Sequence, residues 1–299
     1  MRQAKKSAAW LALFAIVVIA GDRLGAFLCG RVLVASQFRF SRVYRGGTKA
    51  GVIVVGDSRG VHSFYAPSIE KLTGRPALNL SFNAMSMPIA EALLTDFLDH
   101  NPPPRVVLIE PSCVVVDHGL VTELGTYSKL SPRLAALYAR DHPQAAAWSN
   151  AFHLLAYDSE FFLRALLYLR RSDQDWINRN VIAPELRAPH DRWRPNGPRE
   201  NYEALARLVR MLRAHGIEVK LVIAPYHRAS GVDPSDIIRD VTQSIPGARI
   251  WNYAEAIEDS RYFSDTVHMN LDGSEMLLGM LCHDGVLECG SKRSERGSV

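Results

Sequence analysis

Two short segments, far apart in the chain, carry residue types that together do acyl-transfer chemistry. Gly56-Asp57-Ser58-Arg59-Gly60 follows the apolar run Gly51-Val52-Ile53-Val54-Val55, and Asp265-Thr266-Val267-His268 lies near the C-terminal end. Serine is a poor nucleophile near neutral pH, so a base must take its proton and a third group must orient that base. Asp265 and His268 supply both if they share one side of a turn leading into a helix that starts around Leu271, His268 Nδ1 toward the carboxylate and Nε2 outward. The β-branched run before Gly56 reads as a buried strand that delivers Ser58 to a sheet edge. A short helix expected over Ala66 to Leu72 leaves backbone amides near Ser58 to face the oxyanion of a tetrahedral intermediate. A D-x-x-H tetrad taken alone reads as a helix N-cap followed by a surface histidine; its weight comes from being joined to the glycine-aspartate-serine turn.

At these residues the chain resembles the SGNH/GDSL hydrolase superfamily, with its serine in a Gly-Asp-Ser block after the first strand and its Asp-x-x-His block near the C-terminus. The resemblance spans roughly residues 50 to 283. Asn79-Leu80-Ser81-Phe82-Asn83-Ala84-Met85-Ser86 is similar to the second block of membrane-anchored members linked to exopolysaccharide or cell-wall O-acylation. It implies a three-layer α/β/α flavodoxin-like domain, Ser58 as nucleophile, His268 as base, Asp265 as orienting carboxylate, and oxyanion donors from the Ser58 amide and the loop at Asn83. It also implies a carbohydrate polymer as substrate and a membrane-bound acyl carrier or acyltransferase as partner. Two positions depart from the pattern. Ala84 stands where many relatives have glycine, and Glu110-Pro111-Ser112-Cys113 stands where a Gly-x-Asn-Asp block is expected. The second oxyanion donor is then Asn83, or the oxyanion hole is weaker than in secreted esterases, or the chain binds a glycan without turning it over. Asn83 also reads as a turn asparagine bonded to its own backbone. Gly56-x-Ser58-x-Gly60 matches the nucleophile elbow of α/β-hydrolases as well, but there several strands precede the serine, whereas one precedes Ser58.

The elements that must position these residues alternate. Strands are expected at Val52 to Val55, Ala77 to Leu80, Arg105 to Ile109, Glu218 to Ile223 and Arg249 to Trp251, with helical patterns between them. Such alternation predicts a mostly parallel sheet with helices on both faces and ligands at the C-terminal strand ends, where Ser58, Asn83, Glu110, Tyr226 and His227 all fall. Residues 37–290 form the SGNH-like domain in this reading, and 291–299 a polar, disordered tail. Within the domain, 117–201 breaks the alternation and reads as a helical cap, with helical stretches around Pro132 to Ala139 and Phe152 to Arg170, then Pro184, Pro189, Pro195 and Pro198. Its aromatics Trp148, Tyr157, Phe161, Phe162, Tyr168, Trp176 and Trp193 are expected to fill a local core rather than stack on sugars. Glu110 reads as a buried acid of raised pKa or a strand cap, and His62 and His227 as packing or surface residues near the pocket.

Residues 1–36 carry Arg2, Lys5 and Lys6 ahead of an uncharged stretch from Ser7 to Gly21, with apolar character resuming from Leu24 to Leu28. A helix from about Ser7 to Leu28 suits an uncleaved single-pass anchor in the inner membrane, with Asp22 and Arg23 snorkelling to the far interface; a cleaved signal peptide is the competitor. The three N-terminal cations place that end in the cytoplasm and the catalytic domain in the periplasm or exterior, although Arg23, Arg31, Arg39, Arg42 and Arg45 dilute the asymmetry as lipid-facing or solvated linker residues. Of four cysteines, Cys282 and Cys289 are close enough to suggest a bridge. A net charge of +4 without a nucleic-acid motif argues against nucleic acid. The chain carries no H-E-x-x-H, Cys-x-x-Cys, phosphate-loop or G-x-G-x-x-G motif, so no metal or nucleotide cofactor is implied. Two functional classes remain. One is an O-acyl esterase or O-acyltransferase on an envelope polysaccharide, the two differing only in whether water or a sugar hydroxyl resolves the acyl-serine. The other is a non-catalytic glycan-binding or assembly subunit of a polysaccharide modification system.

Overall fold

The structure, a computed structural model, describes residues 2–290 except His118, Pro184, Glu185 and Ala188. The expected tail at 291–299 and the cap residue Pro184 lie outside the described residues. The chain divides into two compact units, Met1–Gly46 with Leu120–Asp173, and Gly47–Gly119 with Gln174–Val299. The interval 117–201, which reads as one insertion in the sequence, is therefore split between them.

The sheet belongs to the second unit. β1 (Val52–Val55), β2 (Ala77–Asn79), β3 (Val106–Ile109), β4 (Glu218–Ile223) and β5 (Ile250–Asn252) are all parallel, in the order β2-β1-β3-β4-β5. This is the flavodoxin-like order, so the fold is α/β of the doubly wound kind expected from the alternation. β1 and β3 carry only Val, Leu and Ile and are buried at every position, as strands covered on both faces must be. Their register pairs Val55 with Ile109, so the residues after each strand emerge together. The topological switch lies between β1 and β3, because the chain steps outward from β1 to β2 and then crosses back past β1 to β3. Ligand crevices form there, at the C-terminal strand ends. One core layer joins Val52, Val54 and Leu108 to Phe64, Ile69, Phe263 and the helix Leu271–His283 through Leu277, Leu278 and Leu281. That helix ends in the Cys282–Cys289 disulfide.

The first unit is built around α1 (Arg2–Ala35), whose stretch Lys5–Ala35 is long and apolar enough to cross a membrane. Asp22 and Arg23 do not both reach outward. Asp22 is buried, its carboxylate accepting from the amides of His153 and Leu154, each at 2.9 Å, and from Arg23 at 2.7 Å. An aspartate in an apolar stretch is tolerated because it satisfies the orphan amides that open the 3₁₀ turn His153–Tyr157. The expected helical stretch from Phe152 to Arg170 is accordingly two pieces, that turn and the helix Glu160–Leu167, which Ser159 caps through the Phe162 amide. Phe38, Phe40, Tyr127 and Phe161 pack edge to face or tilted with centroids 5.2 to 6.1 Å apart. Arg39, grouped in the sequence with lipid-facing or solvated arginines, is instead fully buried and paired with Asp173 at 2.5 Å, the carboxylate offsetting part of the cost of burying its charge.

Candidate active site

Helix formation starts at the serine itself. Ser58 opens the helix Ser58–Ser63 directly after β1, ahead of the expected helix, which runs Ala66–Thr73. Asp57 is the N-cap, its side chain accepting from the Arg59 amide at 2.8 Å. The flanking glycines have a packing reason: a Cβ at Gly56 would lie 3.0 Å from Glu110 Cβ, and one at Gly60 would lie 2.4 Å from Ser81 Oγ. The turn can therefore press against the ends of both neighbouring strands. As the first residue of a helix, Ser58 presents an amide with no intrahelical acceptor.

The second segment folds into a tight loop before the helix Leu271–His283. Asp265 Oδ1 accepts from the Val267 and His268 amides, both at 2.8 Å, and Oδ2 lies 2.8 Å from His268 Nδ1. The loop is closed by the Ser264 amide donating to the His268 carbonyl at 2.9 Å and by Asn270, whose side chain caps the helix at Gly273 and donates to the Arg261 carbonyl at 2.7 Å. His268 Nε2 then meets Ser58 Oγ at 2.7 Å. Because a carboxylate can only accept, Nδ1 carries the proton and Nε2 is the acceptor facing the serine. Burial works upward on the Asp265 carboxyl, but the hydrogen bonds from His268 and the Val267 amide outweigh it and hold it below the ordinary carboxylate range. Edge-on against His268, with centroids 5.3 Å apart, stands the buried His62, whose Nδ1 accepts from the Asn178 amide at 3.2 Å. Ser58, Asp265 and His268 are thus brought together across some two hundred residues of sequence.

Asn83 is exposed on the turn after β2 and is not among the residues that wall the cleft of Ser58 and His268. The next residue, Ala84, has φ +54°, a left-handed conformation that glycine adopts freely and alanine at a cost of about 1–2 kcal/mol. Its carbonyl fills the space where Gly119 would carry a Cβ, 2.0 Å away. The backbone at this block thus keeps the turn that a glycine would make, although the residue is alanine.

The cleft has a volume of about 190 Å³ and is walled by Ser112, Val115, Trp193, Pro195, Tyr226 and Val232. Through Tyr226 and Val232 it adjoins a larger hollow of about 550 Å³ whose wall carries His190, Arg192, Arg228, Glu255 and Glu258. Trp193 is 62% exposed, contrary to the core role expected for it, and Trp148 of the first unit is 61% exposed. Trp193 is held by its backbone, its amide donating to the Gly231 carbonyl at 2.7 Å and its carbonyl accepting from the Asp233 amide at 2.8 Å. Among the described residues, no group of three or more His, Cys, Asp or Glu side chains is gathered as a metal site.

No family model matches the chain, and no curated protein matches it. One solved structure that matches, provisionally described as a platelet activating factor from Streptococcus pneumonia, is 11% identical. The likeness covers 93% of this chain and 98% of that one, with a TM-score of 0.41.

Beneath the serine lies a buried polar layer of which the sequence announced Glu110 but not Arg59. Arg59 is 5% exposed and donates to the carbonyls of Ala224 at 2.6 Å, Val267 at 2.8 Å and Pro225 at 3.4 Å, and to Ser112 Oγ at 3.1 Å. Its guanidinium lies 3.4 Å from the Tyr226 ring centroid and 3.5 Å from Glu110 Oε1. Glu110 in turn accepts from the amide and hydroxyl of Ser112 and from the Ala224 amide. It is both of the things expected of it, a strand cap and a buried acid: burial pushes its carboxyl up against the pull of Arg59. Burial likewise raises Asp57, and it takes the Tyr226 hydroxyl up to about 12. His227 is a packing residue, its Nε2 2.9 Å from Ser260 Oγ and its Nδ1 accepting from the Ala229 amide; burial moves its pKa down. An arginine next to a serine reads as a solvated cation in sequence, and only a count of strand-end carbonyls needing donors would have pointed inward.

Proposed function

We propose that this chain is a serine-dependent O-acyl esterase or O-acyltransferase, of the SGNH kind, that works on a carbohydrate ester through an acyl-Ser58 intermediate. The observation that carries the reading is the unbroken contact from Asp265 Oδ2 through the His268 ring to Ser58 Oγ, 2.8 Å on one side and 2.7 Å on the other. In this reading His268 Nε2 takes the serine proton as Oγ attacks the ester carbonyl, and Asp265 stabilises the imidazolium that forms. The Ser58 amide donates to the oxyanion. His268 returns the proton to the leaving alkoxide, and water or a sugar hydroxyl then resolves the acyl-enzyme by the same steps in reverse. Labelling the full chain in detergent with a fluorophosphonate probe tests this: an adduct on Ser58 is expected in the wild type, none in Ser58→Ala, and at least about a hundredfold slower reaction in His268→Ala. A folded wild type that takes no label would move the reading to the non-catalytic glycan-binding subunit, which Glu110-Pro111-Ser112-Cys113 in place of a Gly-x-Asn-Asp block favours.

The carbohydrate class rests on Trp193. A flat exposed ring beside the nucleophile, next to a hollow whose wall mixes Arg192, Arg228, Glu255 and Glu258, suits a pyranose, with its C–H face and its ring of hydroxyls; an acyl tail would want an apolar tunnel. With an O-acetylated xylo-oligosaccharide, Trp193→Ala is expected to raise KM about tenfold, equivalent to roughly 1.4 kcal/mol, with kcat little changed and Trp193→Phe in between. Equal KM values in all three proteins would remove the sugar from this ring.

In this reading α1 is the anchor, with Lys5 and Lys6 on the cytoplasmic side. The Cys282–Cys289 bridge fits an oxidising compartment such as the periplasm.

A further inference from the structure

The helix Glu160–Leu167 carries a single polar pair, Glu160 with Arg164, among six apolar residues. Phe161 and Ala165 are buried in the first unit, while Leu163 and Leu167 on its other sides are 61% and 68% exposed. An apolar surface wider than the stripe that faces the core calls for cover beyond that core. Outside α1, most exposed large hydrophobic side chains among the described residues fall in this same stretch, with Trp148, Phe152, Leu154 and Leu155 joining the two leucines.

The length of α1 says what covers them. The side chains described from Ser7 to Gly21 are exposed, and that stretch rises about 22 Å at 1.5 Å per residue. A bilayer core of about 30 Å needs about 20 residues, so a span starting at Ser7 ends near Ala26. At that level the turn His153–Tyr157 is docked on the helix: Asp22 caps the His153 and Leu154 amides, and a Cβ at Gly25 would lie 3.1 Å from the Leu154 methyls. One turn further on, a Cβ at Gly30 would lie 3.1 Å from the Tyr157 hydroxyl. Leu154 and its neighbours are thereby held at the depth where acyl chains give way to headgroups. Arg170 and Arg171, both exposed, follow directly after the apolar run, where cations meet lipid phosphates.

We propose that Trp148 to Leu169 forms a second membrane contact, a monotopic surface immersed in the outer boundary of the same bilayer that α1 spans, with Arg170 and Arg171 on its phosphates. The proposal rests on α1 being a transmembrane anchor, and continuity with the lipid-facing side of α1 selects lipid over a protein partner.

The test uses the full chain with Cys29→Ala and Cys113→Ala, reconstituted in vesicles of phosphatidylethanolamine and phosphatidylglycerol. A single spin label is placed through Leu155→Cys, Leu163→Cys or Leu167→Cys, with Ile16→Cys reporting on the span and Arg213→Cys on water. Collision with oxygen relative to a water-soluble nickel chelate should be at least threefold higher at 155, 163 and 167 than at 213. Water-like ratios at those three sites with a lipid-like ratio at 16 would overturn the surface and leave the anchor standing. Weak collisions with both reagents would show a protein covering the patch, and overturn the lipid assignment. A water-like ratio at 16 would remove the anchor, and the proposal with it.

Discussion

Asp265→Asn is expected to lower the turnover of 4-nitrophenyl acetate by about 10³- to 10⁴-fold while leaving the fold in place. Asparagine keeps an Oδ1 that can accept from the Val267 and His268 amides, so the loop survives. Its amide group, however, turns N–H donors toward His268 Nδ1. The ring answers by moving its proton to Nε2, and Nε2 then faces Ser58 Oγ as a donor where the chemistry needs an acceptor. Asp265→Ala should lose the loop bonds as well and show a lower unfolding midpoint than Asp265→Asn. Kinetics in parallel with thermal unfolding separate the two effects. The pH dependence of stability adds a check with a definite sign. The Asp265 carboxyl is depressed in the folded chain, so the stabilisation it contributes is fully present above the ordinary carboxylate range and is lost as pH falls through its lower folded value. The stability gap between wild type and Asp265→Asn should therefore be constant around neutrality and shrink only in acid. Turnover within tenfold of wild type would mean that the carboxylate does not set the tautomer of His268.

What could be read in the sequence was what is local or periodic. β1 and β3 are short β-branched or aliphatic runs ending at turn residues, and each strand was found within two residues of its expected bounds. The meeting of Asp265 and His268 was legible because a spacing of three fixes it, and their approach to Ser58 because a parallel sheet gathers its loops at one end. Tertiary choices were not legible. The pairing of 120–173 with 1–46 depends on contacts such as Asp22 with the 153–154 amides and Arg39 with Asp173, and neither aspartate announces a partner more than a hundred residues away. Trp193 and Phe161 look alike in composition, yet one is 62% exposed and the other fully buried; the difference lies in which backbone bridge or helix face carries each ring. Asn83 matched a block pattern, and its exposure on the turn before the left-handed Ala84 is likewise nothing that its residue type announces.

Arg59→Met is expected to cost about 3–5 kcal/mol of stability, and Arg59→Lys to leave a folded protein with kcat reduced about a hundredfold at nearly constant KM. The first effect follows from burial. Removing the guanidinium strands the Ala224 and Val267 carbonyls and leaves Glu110 without its cation in a site that already disfavours its charge. The second follows from geometry. Arg59 is covalently next to Ser58 and hydrogen-bonded to the carbonyl of Val267, the neighbour of His268, so one planar group fixes the serine and the histidine against each other. Lysine keeps the charge but cannot span three carbonyls and a hydroxyl from a single point. Ser58 Oγ and His268 Nε2 would then drift from 2.7 Å by a fraction of an ångström to an ångström, a displacement that proton transfer does not tolerate and that substrate binding at Trp193 would not register. The split between kcat and KM is therefore the decisive readout, with urea unfolding of the same variants as its companion. A lysine variant of full kcat would reduce Arg59 to a stabilising residue with no part in aligning the serine; a variant that lost KM and kcat together would place it on the substrate instead.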